Sequence, residues 1–254
     1  MEYQKNKNKE EPELIMSVPF SISSADTDMF ARIRMGSLAN LLIQSATRSA
    51  DHLNVGYDSI RQQKLFWVLS RLTIEIYKPM SWYESCIVET WPKDVQKILY
   101  IRDFIVRDEK GEETAKATSG WLGIDIDTKR PRTIDSSGNP LFTRLKDRNA
   151  LDISPEKLFP VKDGEVSEIK TSYYDIDLNG HVTARRYIDW MMDTFEVEFH
   201  QNNYPKIVSI NYLNEIWPGE IIQITKNRQA EKTYVFEGIN KIRNTIAFRG
   251  KIGF

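Results

Sequence analysis

Residues 173–195 read YYDIDLNGHVTARRYIDWMMDTF, and the rest of the chain is understood from them. Two acids, an amide and an imidazole (Asp175, Asp177, Asn179, His181) fall within seven residues, and an amphipathic run carrying Tyr187, Trp190, Met191 and Phe195 follows at once. Alternating polar groups ahead of a helix start sit at the mouth of that helix. There, free backbone N–H groups and the positive dipole end can hold a developing negative charge. Asp, Asn and Gly also form turns, so the run taken alone reads equally well as a loop leading into a packed helix.

A second copy of the pattern separates these readings. Asp26 falls on Asp175 at an offset of 149 residues, and the same offset places Asp28 on Asp177, Leu38 on Tyr187, Leu41 on Trp190 and Leu42 on Met191. The chain is a tandem of two similar halves. The first copy has Phe30 where the second has Asn179, and Arg32 where the second has His181. A turn kept only for its shape has little reason to differ in this polar way, so the second copy is the candidate site. Asp175 is expected to be structural, because Asp26 repeats it.

Periodicity fills in each half. Residues 16–22 alternate like a strand, and Leu38, Leu41, Leu42, Ala46, Ala50 and Leu53 recur at helical spacing, with Ser37 as the expected N-cap. Strands are expected at 66–77, 86–91, 98–106 and 114–124. The second half repeats the order: a strand at 166–172, a helix over 184–199, and strands at 207–213, 220–226, 233–240 and 245–252. One helix followed by a run of antiparallel strands, twice over, is α+β. The expected divisions are a mobile tail (1–14), a first domain (15–125), a connector (126–164) and a second domain (165–254). The connector carries repeated prolines and the run SSGN at 136–139, with a short helix expected at 155–159.

Composition narrows the function. With 35 basic and 36 acidic residues the net charge is −1, so no bulk electrostatic signal points to nucleic acid. Cys86 is the only cysteine, which excludes an internal disulfide and a cysteine-based zinc cluster; it is expected to be a small core residue. Three histidines (His52, His181, His200) leave little scope for a metal site, and neither metal nor cofactor is expected. No apolar run reaches the ~20 residues that span a membrane. The N-terminus, MEYQKNKNKEEPE, is charged rather than apolar, so a cytoplasmic protein is expected.

Several segments resemble the acyl-acyl carrier protein thioesterases, which pack two hotdog domains in one chain. In the first half they are WVLSRLTIEI (67–76), RDF (102–104) and ATSGWLGIDIDTKRPR (117–132). In the second half, DLNGHVTARRYIDW (177–190) is similar to the family's D-x-N-x-H-V-N-N-x-x-Y-x-x-W segment, and NYLNEIW (211–217) to its E-Y-R-R-E-C. The resemblance implies a tandem double hotdog, two antiparallel sheets each wrapped around a long central helix. It implies active-site roles for Asp177, Asn179, His181 and Glu215, and release of free fatty acid from acyl carrier protein. Two departures stand out. Thr183 and Ala184 replace the family's paired asparagines, and Ile216 replaces the cysteine that follows the glutamate in many members, which excludes a Cys–His nucleophile there.

Thioester hydrolysis needs an activated water or nucleophile, donors for the oxyanion, and an exit for the thiolate. The expected donors are the backbone N–H groups of Val182, Thr183 and Ala184. An imidazole exchanges protons near neutral pH, which suits His181. Asp177 is open between nucleophile, base and loop anchor. Leu38, Leu41 and Leu42 are candidates to line the acyl tunnel, although core packing predicts the same residues. Acyl carrier proteins are acidic, so Lys129, Arg130, Arg132, Arg185 and Arg186 are candidate docking residues. The chain is expected to be a monomer or homodimer. An enoyl-thioester hydratase and a non-catalytic acyl-thioester-binding protein are the competing readings; the hydratase does not call for Glu215, and the binding protein usually carries an added domain.

Overall fold

A computed structural model describes residues 13–134 and 140–254; most of the expected tail and the SSGN run lie outside them. Strand β2 (Leu65–Ile76) buries Leu72, Ile74 and Ile76 on one face and turns Arg71, Thr73 and Glu75 to the other, as the two-residue strand period requires. With β1 (Met16–Ser21), β3 (Ser85–Gln96), β4 (Leu99–Asp108) and β5 (Glu113–Asp125) it makes five antiparallel strands. Strands β6 (Glu165–Lys170), β7 (Ile207–Tyr212), β8 (Ile221–Ala230), β9 (Thr233–Asn240) and β10 (Thr245–Gly253) repeat the arrangement.

The two five-stranded sheets join edge to edge through β2 and β7 into one ten-stranded sheet, ordered β1-β3-β4-β5-β2-β7-β10-β9-β8-β6. The order is palindromic once β6 to β10 are matched with their first-half counterparts. The seam is centred on Thr73 and Ser209, which pair across it with their hydroxyls 3.2 Å apart. Joining there satisfies the open edges of both β2 and β7.

Helices α1 (Met35–His52) and α3 (Ala184–Asp193) lie together on one face of this sheet. Leu38, Leu42, Trp190 and Met191 share one continuous core with Ile74, Phe104, Ile210, Ile224 and Phe248. Gly36 allows the helices to approach closely: a Cβ there would lie 2.9 Å from the Arg185 carbonyl oxygen. Cys86 is in the same core, where burial pushes its thiol up to about 11.

The connector closes the opposite face. Ala150 packs with Trp91 and Ile105, and its N–H donates to Asp103 at 2.8 Å. Further on, the Leu158 N–H donates to Asn211 Oδ1 at 2.8 Å, and Lys251 pairs with Glu156 at 2.6 Å.

Three local expectations are corrected, and one helix is added. Helix α1 begins two residues before Ser37, whose buried hydroxyl has no partner; Arg34, held extended by its N–H to the Asp26 carbonyl, is the N-cap. A short helix α2 (Tyr57–Arg61) follows α1 and buries Ile60. The helix expected over 184–199 breaks after Asp193, where Thr194 turns its hydroxyl onto the Met191 carbonyl (2.8 Å). This lets Phe195 pack against Phe199, Tyr234 and Phe254 before α4 (Val197–Asn202) begins. Residues 155–159 form no helix, because their backbone is bonded to the sheet instead.

Candidate active site

The loop before α3 is built like the loop before α1. Ser172 and Ser23 each close a capping box with an acid three residues on, Asp175 and Asp26. The Asp177 N–H donates to the His181 carbonyl (2.8 Å) as Asp28 does to Arg32 (2.7 Å), and Thr183 donates to Asp175 as Arg34 does to Asp26 (2.8 Å each). The tight turn needs a left-handed residue, Gly180 (φ 80°) in one loop and Ala31 (φ 60°) in the other. The 149-residue offset therefore holds bond for bond.

The side chains on this shared backbone differ. In the first loop, Asp28 accepts from the Phe30 and Arg32 N–H groups (2.9 Å each), pairs with the Arg32 guanidinium at 2.9 Å, and Arg32 also reaches the His200 carbonyl. Both carboxylate oxygens are engaged. In the second loop Asp177 Oδ1 accepts only the Asn179 N–H (2.8 Å), and Oδ2 has no partner among the described residues. The Asn179 side chain is exposed and likewise unengaged.

His181 places Nε2 3.4 Å from Glu215 Oε2, and its ring meets the edge of Trp217 at a centroid distance of 4.3 Å. Glu215 comes from the loop after β7, which is fixed to the α3 loop by Val182 N–H donating to the Ile216 carbonyl (2.9 Å). The first half has the same anchor, from Ile33 to the Met80 carbonyl, and the same loop turn: Ser81 N–H bonds Glu84 as Trp217 N–H bonds Glu220. The counterpart of Glu215 is therefore Pro79, so the first half lacks both the imidazole and its carboxylate.

The oxyanion expectation needs correction. The N–H groups of Val182 and Thr183 are already spent on Ile216 and Asp175, so neither is available. Ala184 remains, and Arg185 joins it, as the first-turn N–H groups of α3 that no acceptor among the described residues takes. Tyr187, one turn on, is buried with its hydroxyl against the Ile216 N–H; burial pushes it up and that bond only partly offsets the rise.

The expected tunnel residues Leu38, Leu41 and Leu42 are buried in the core between α1 and the sheet. The expected docking cations are mostly engaged. Arg186 bridges Asp175 (2.7 Å) and Asp189 (3.1 Å), Arg185 faces Asp189 at 3.7 Å, Arg132 pairs with Asp125 at 2.9 Å, and Lys129 lies over the Phe66 ring. Arg186 is thus a structural cation that ties the first turn of α3 to the loop before it. Arg130 alone of the five is exposed without a side-chain partner among the described residues. Trp217, and the Glu220–Arg243 pair behind Glu215, have no marker in the sequence: the first lies inside NYLNEIW as an ordinary aromatic, and Arg243 comes from a distant hairpin. No group of three or more His, Cys, Asp or Glu among the described residues could hold a metal ion, and no described helix is long and apolar enough to cross a membrane.

Two repeats sharing one sheet, with one polar constellation at the mouth of the second helix, define a double-hotdog protein with a single candidate site among the described residues. The chain belongs to the acyl-ACP thioesterase family: the family's N-terminal domain matches residues 14–137 and its C-terminal domain residues 159–251. An acyl-ACP thioesterase from Bacteroides thetaiotaomicron superposes with a TM-score of 0.86 at 26% identity, covering 94% of this chain and 97% of that one. The 12:0-ACP thioesterase from Umbellularia californica shares the fold at a TM-score of 0.82 and 18% identity, covering 95% of this chain and 97% of that one. Oleoyl-acyl carrier protein thioesterase 2 of Arabidopsis thaliana is 26% identical over 220 residues, which are 80% of this chain; the chain spans 60% of that relative's length.

Proposed function

We propose that this chain hydrolyses the thioester of fatty acyl-acyl carrier protein, releasing free fatty acid and the carrier thiol. The observation that carries the reading is the His181–Glu215 pair at 3.4 Å, present in the second loop and replaced by Arg32 and Pro79 in the first. His181 takes a proton from the attacking water and returns it to the leaving thiolate, while Glu215 stabilises the imidazolium in between. The free oxygen of Asp177 and the Asn179 amide hold the water, and the Ala184 and Arg185 N–H groups receive the oxyanion. The acyl chain runs toward Leu38, Leu41 and Leu42 on α1, where each buried methylene contributes ~0.8 kcal/mol. Arg130 is the docking cation for the acidic carrier protein. The two units act as one body within 15–125 and 165–254, in the cytoplasm, where the carrier-bound substrate would be met.

The test is thiol release across a panel of carrier-protein and coenzyme A thioesters. His181→Ala is expected to lower kcat by about 10²–10⁴-fold, the range of general acid–base catalysis. Asp177→Asn keeps an oxygen for the Asn179 N–H and so keeps the loop, yet is expected to lose at least about 10²-fold. Unchanged turnover in both folded variants overturns the reading, and water addition to a 2-enoyl thioester without thiol release would replace it with a hydratase.

A further inference from the structure

We propose that Arg243 and Glu220 form a clasp that positions Glu215 against His181, an inference that rests on the hydrolytic reading above. Arg243 stands in the β9–β10 hairpin, far from the loop in sequence. Its Nε pairs with Glu220 Oε1 at 2.8 Å and its Nη2 donates to Glu220 Oε2 at 3.0 Å, while Nη2 also donates to the backbone carbonyl of Glu215 itself. Glu220 is buried and takes two more bonds, from the Trp217 N–H and from Asn240 Nδ2, at 2.7 Å each. Asn240 in turn accepts the Ile242 and Arg243 N–H groups at 3.0 and 3.1 Å, which fixes the hairpin that carries the arginine.

Residues 215 to 220 are thus held at both ends by one guanidinium–carboxylate pair. The two residues of this segment that touch His181 lie inside the clasp: Glu215 at 3.4 Å and Trp217 through its ring. A bidentate pair fixes geometry as well as charge, which a single lysine contact does not. The first half supplies the control. Glu84 accepts the Ser81 N–H as Glu220 accepts that of Trp217, and Asp108 caps its hairpin as Asn240 does. Yet Glu84 pairs with no cation among the described residues, and the corresponding hairpin tip is Gly111. The turn is shared; the clasp belongs to the half that has an imidazole to serve. Arg243 is therefore a positioning residue, acting through Glu215 and touching no reacting atom.

The experiment is a double-mutant cycle with a structural readout. Arg243→Ala is expected to lower kcat about tenfold with KM unchanged, since misplacement near 1 Å is enough for such losses. Arg243→Lys restores part of it. In a Glu215→Gln background Arg243→Ala costs no further kcat, and its crystal structure shows the residue 215 side chain withdrawn from His181. Glu220→Gln, which keeps the acceptor for Trp217 and Asn240, is the second probe should Arg243→Ala fold poorly, and is expected to give the same non-additive loss. Losses that multiply in the double variant, or an Arg243→Ala structure that keeps the 3.4 Å separation, overturn the clasp. Intact turnover in Glu215→Gln and His181→Ala would instead overturn the hydrolytic reading, while the crystallographic arm still decides the clasp.

Discussion

Replacing Glu215 by Gln removes one charge from the site and almost nothing else, so its effect can be worked from one distance. At 3.4 Å, two unit charges interact by about 1 kcal/mol in bulk water and about 5 kcal/mol at an effective dielectric near ~20. The Glu215 side chain is 48% exposed and that of His181 23%, which puts the pair near the water limit, at about 1–2 kcal/mol. That energy is gained only while His181 carries the proton it has taken from water, so it stabilises the transition state and not the bound substrate. Glu215→Gln is thus expected to lower kcat by about tenfold, at 1.36 kcal/mol per decade, and to leave KM alone. Carrier thiol can be read directly with a thiol reagent: the protein's one cysteine, Cys86, is buried with its thiol pushed up to about 11, and contributes no background. A variant within twofold of the parent would refute the electrostatic role. A loss beyond about 10³-fold would refute it from the other side, since only a group making or breaking bonds is worth so much.

Two further variants test the frame around the site. Burial alone would raise Asp175, but bonds from the Ser172 N–H, from Arg186 and from the Ser172 hydroxyl outweigh it and hold the carboxyl below its usual range. A depressed acid stabilises the fold fully above the unfolded value near ~3.9 and loses that contribution as pH falls through the folded value. Asp175→Asn is therefore expected to lower stability by about 1–2 kcal/mol at neutral pH and to flatten the acid limb of a Tm-against-pH curve; an unchanged limb refutes the assignment. Gly238→Ala would place a Cβ 2.0 Å from Cε1 of Phe248, a fully buried ring that supports Tyr187 of α3. A cost of about 1–3 kcal/mol in denaturant unfolding is expected, and a neutral result would mean that the ring has room to move.

Most of this fold was legible locally because local pattern sets it. Strand alternation gave β9 to the residue and most other strands to within two, but stopped β3 five residues and β8 four residues short, and the repeat of Asp26 on Asp175 named two equivalent loops before their hydrogen bonds could be compared. What the sequence hid is long-range. Nothing near Asp193 announces that Phe195 will leave the helix for Phe254, nor that residues 150–158 will bond to the outer face of the sheet. The same holds inside the site. Asp177, Asn179 and His181 fall within five residues and were visible together, and Glu215 came from its resemblance to a family motif. Ala184 stayed a donor while Val182 and Thr183 did not, because Val182 is taken by Ile216 on a distant segment and Thr183 by Asp175 across the folded loop.

The two loops show how little separates a structural half from a chemical one. Both use an aspartate at the turn, and both bond the same backbone groups to the same neighbours. In the first, Arg32 neutralises Asp28 and also donates through Nη2 to the His200 carbonyl, so both oxygens of the Asp28 carboxylate are engaged. Exchanging arginine for histidine releases the second carboxylate oxygen, and exchanging proline for glutamate gives the imidazole a partner. A polar group left unsatisfied is costly where it is buried, and tolerable where water or a substrate reaches it. Asp177 Oδ2 and the Asn179 amide have no partner among the described residues and lie beside an exposed Leu178, at the rim rather than in the core. The fold can hold such groups open because the shared backbone bonds, and the Asp175–Arg186 pair beneath them, keep the loop in place without their help.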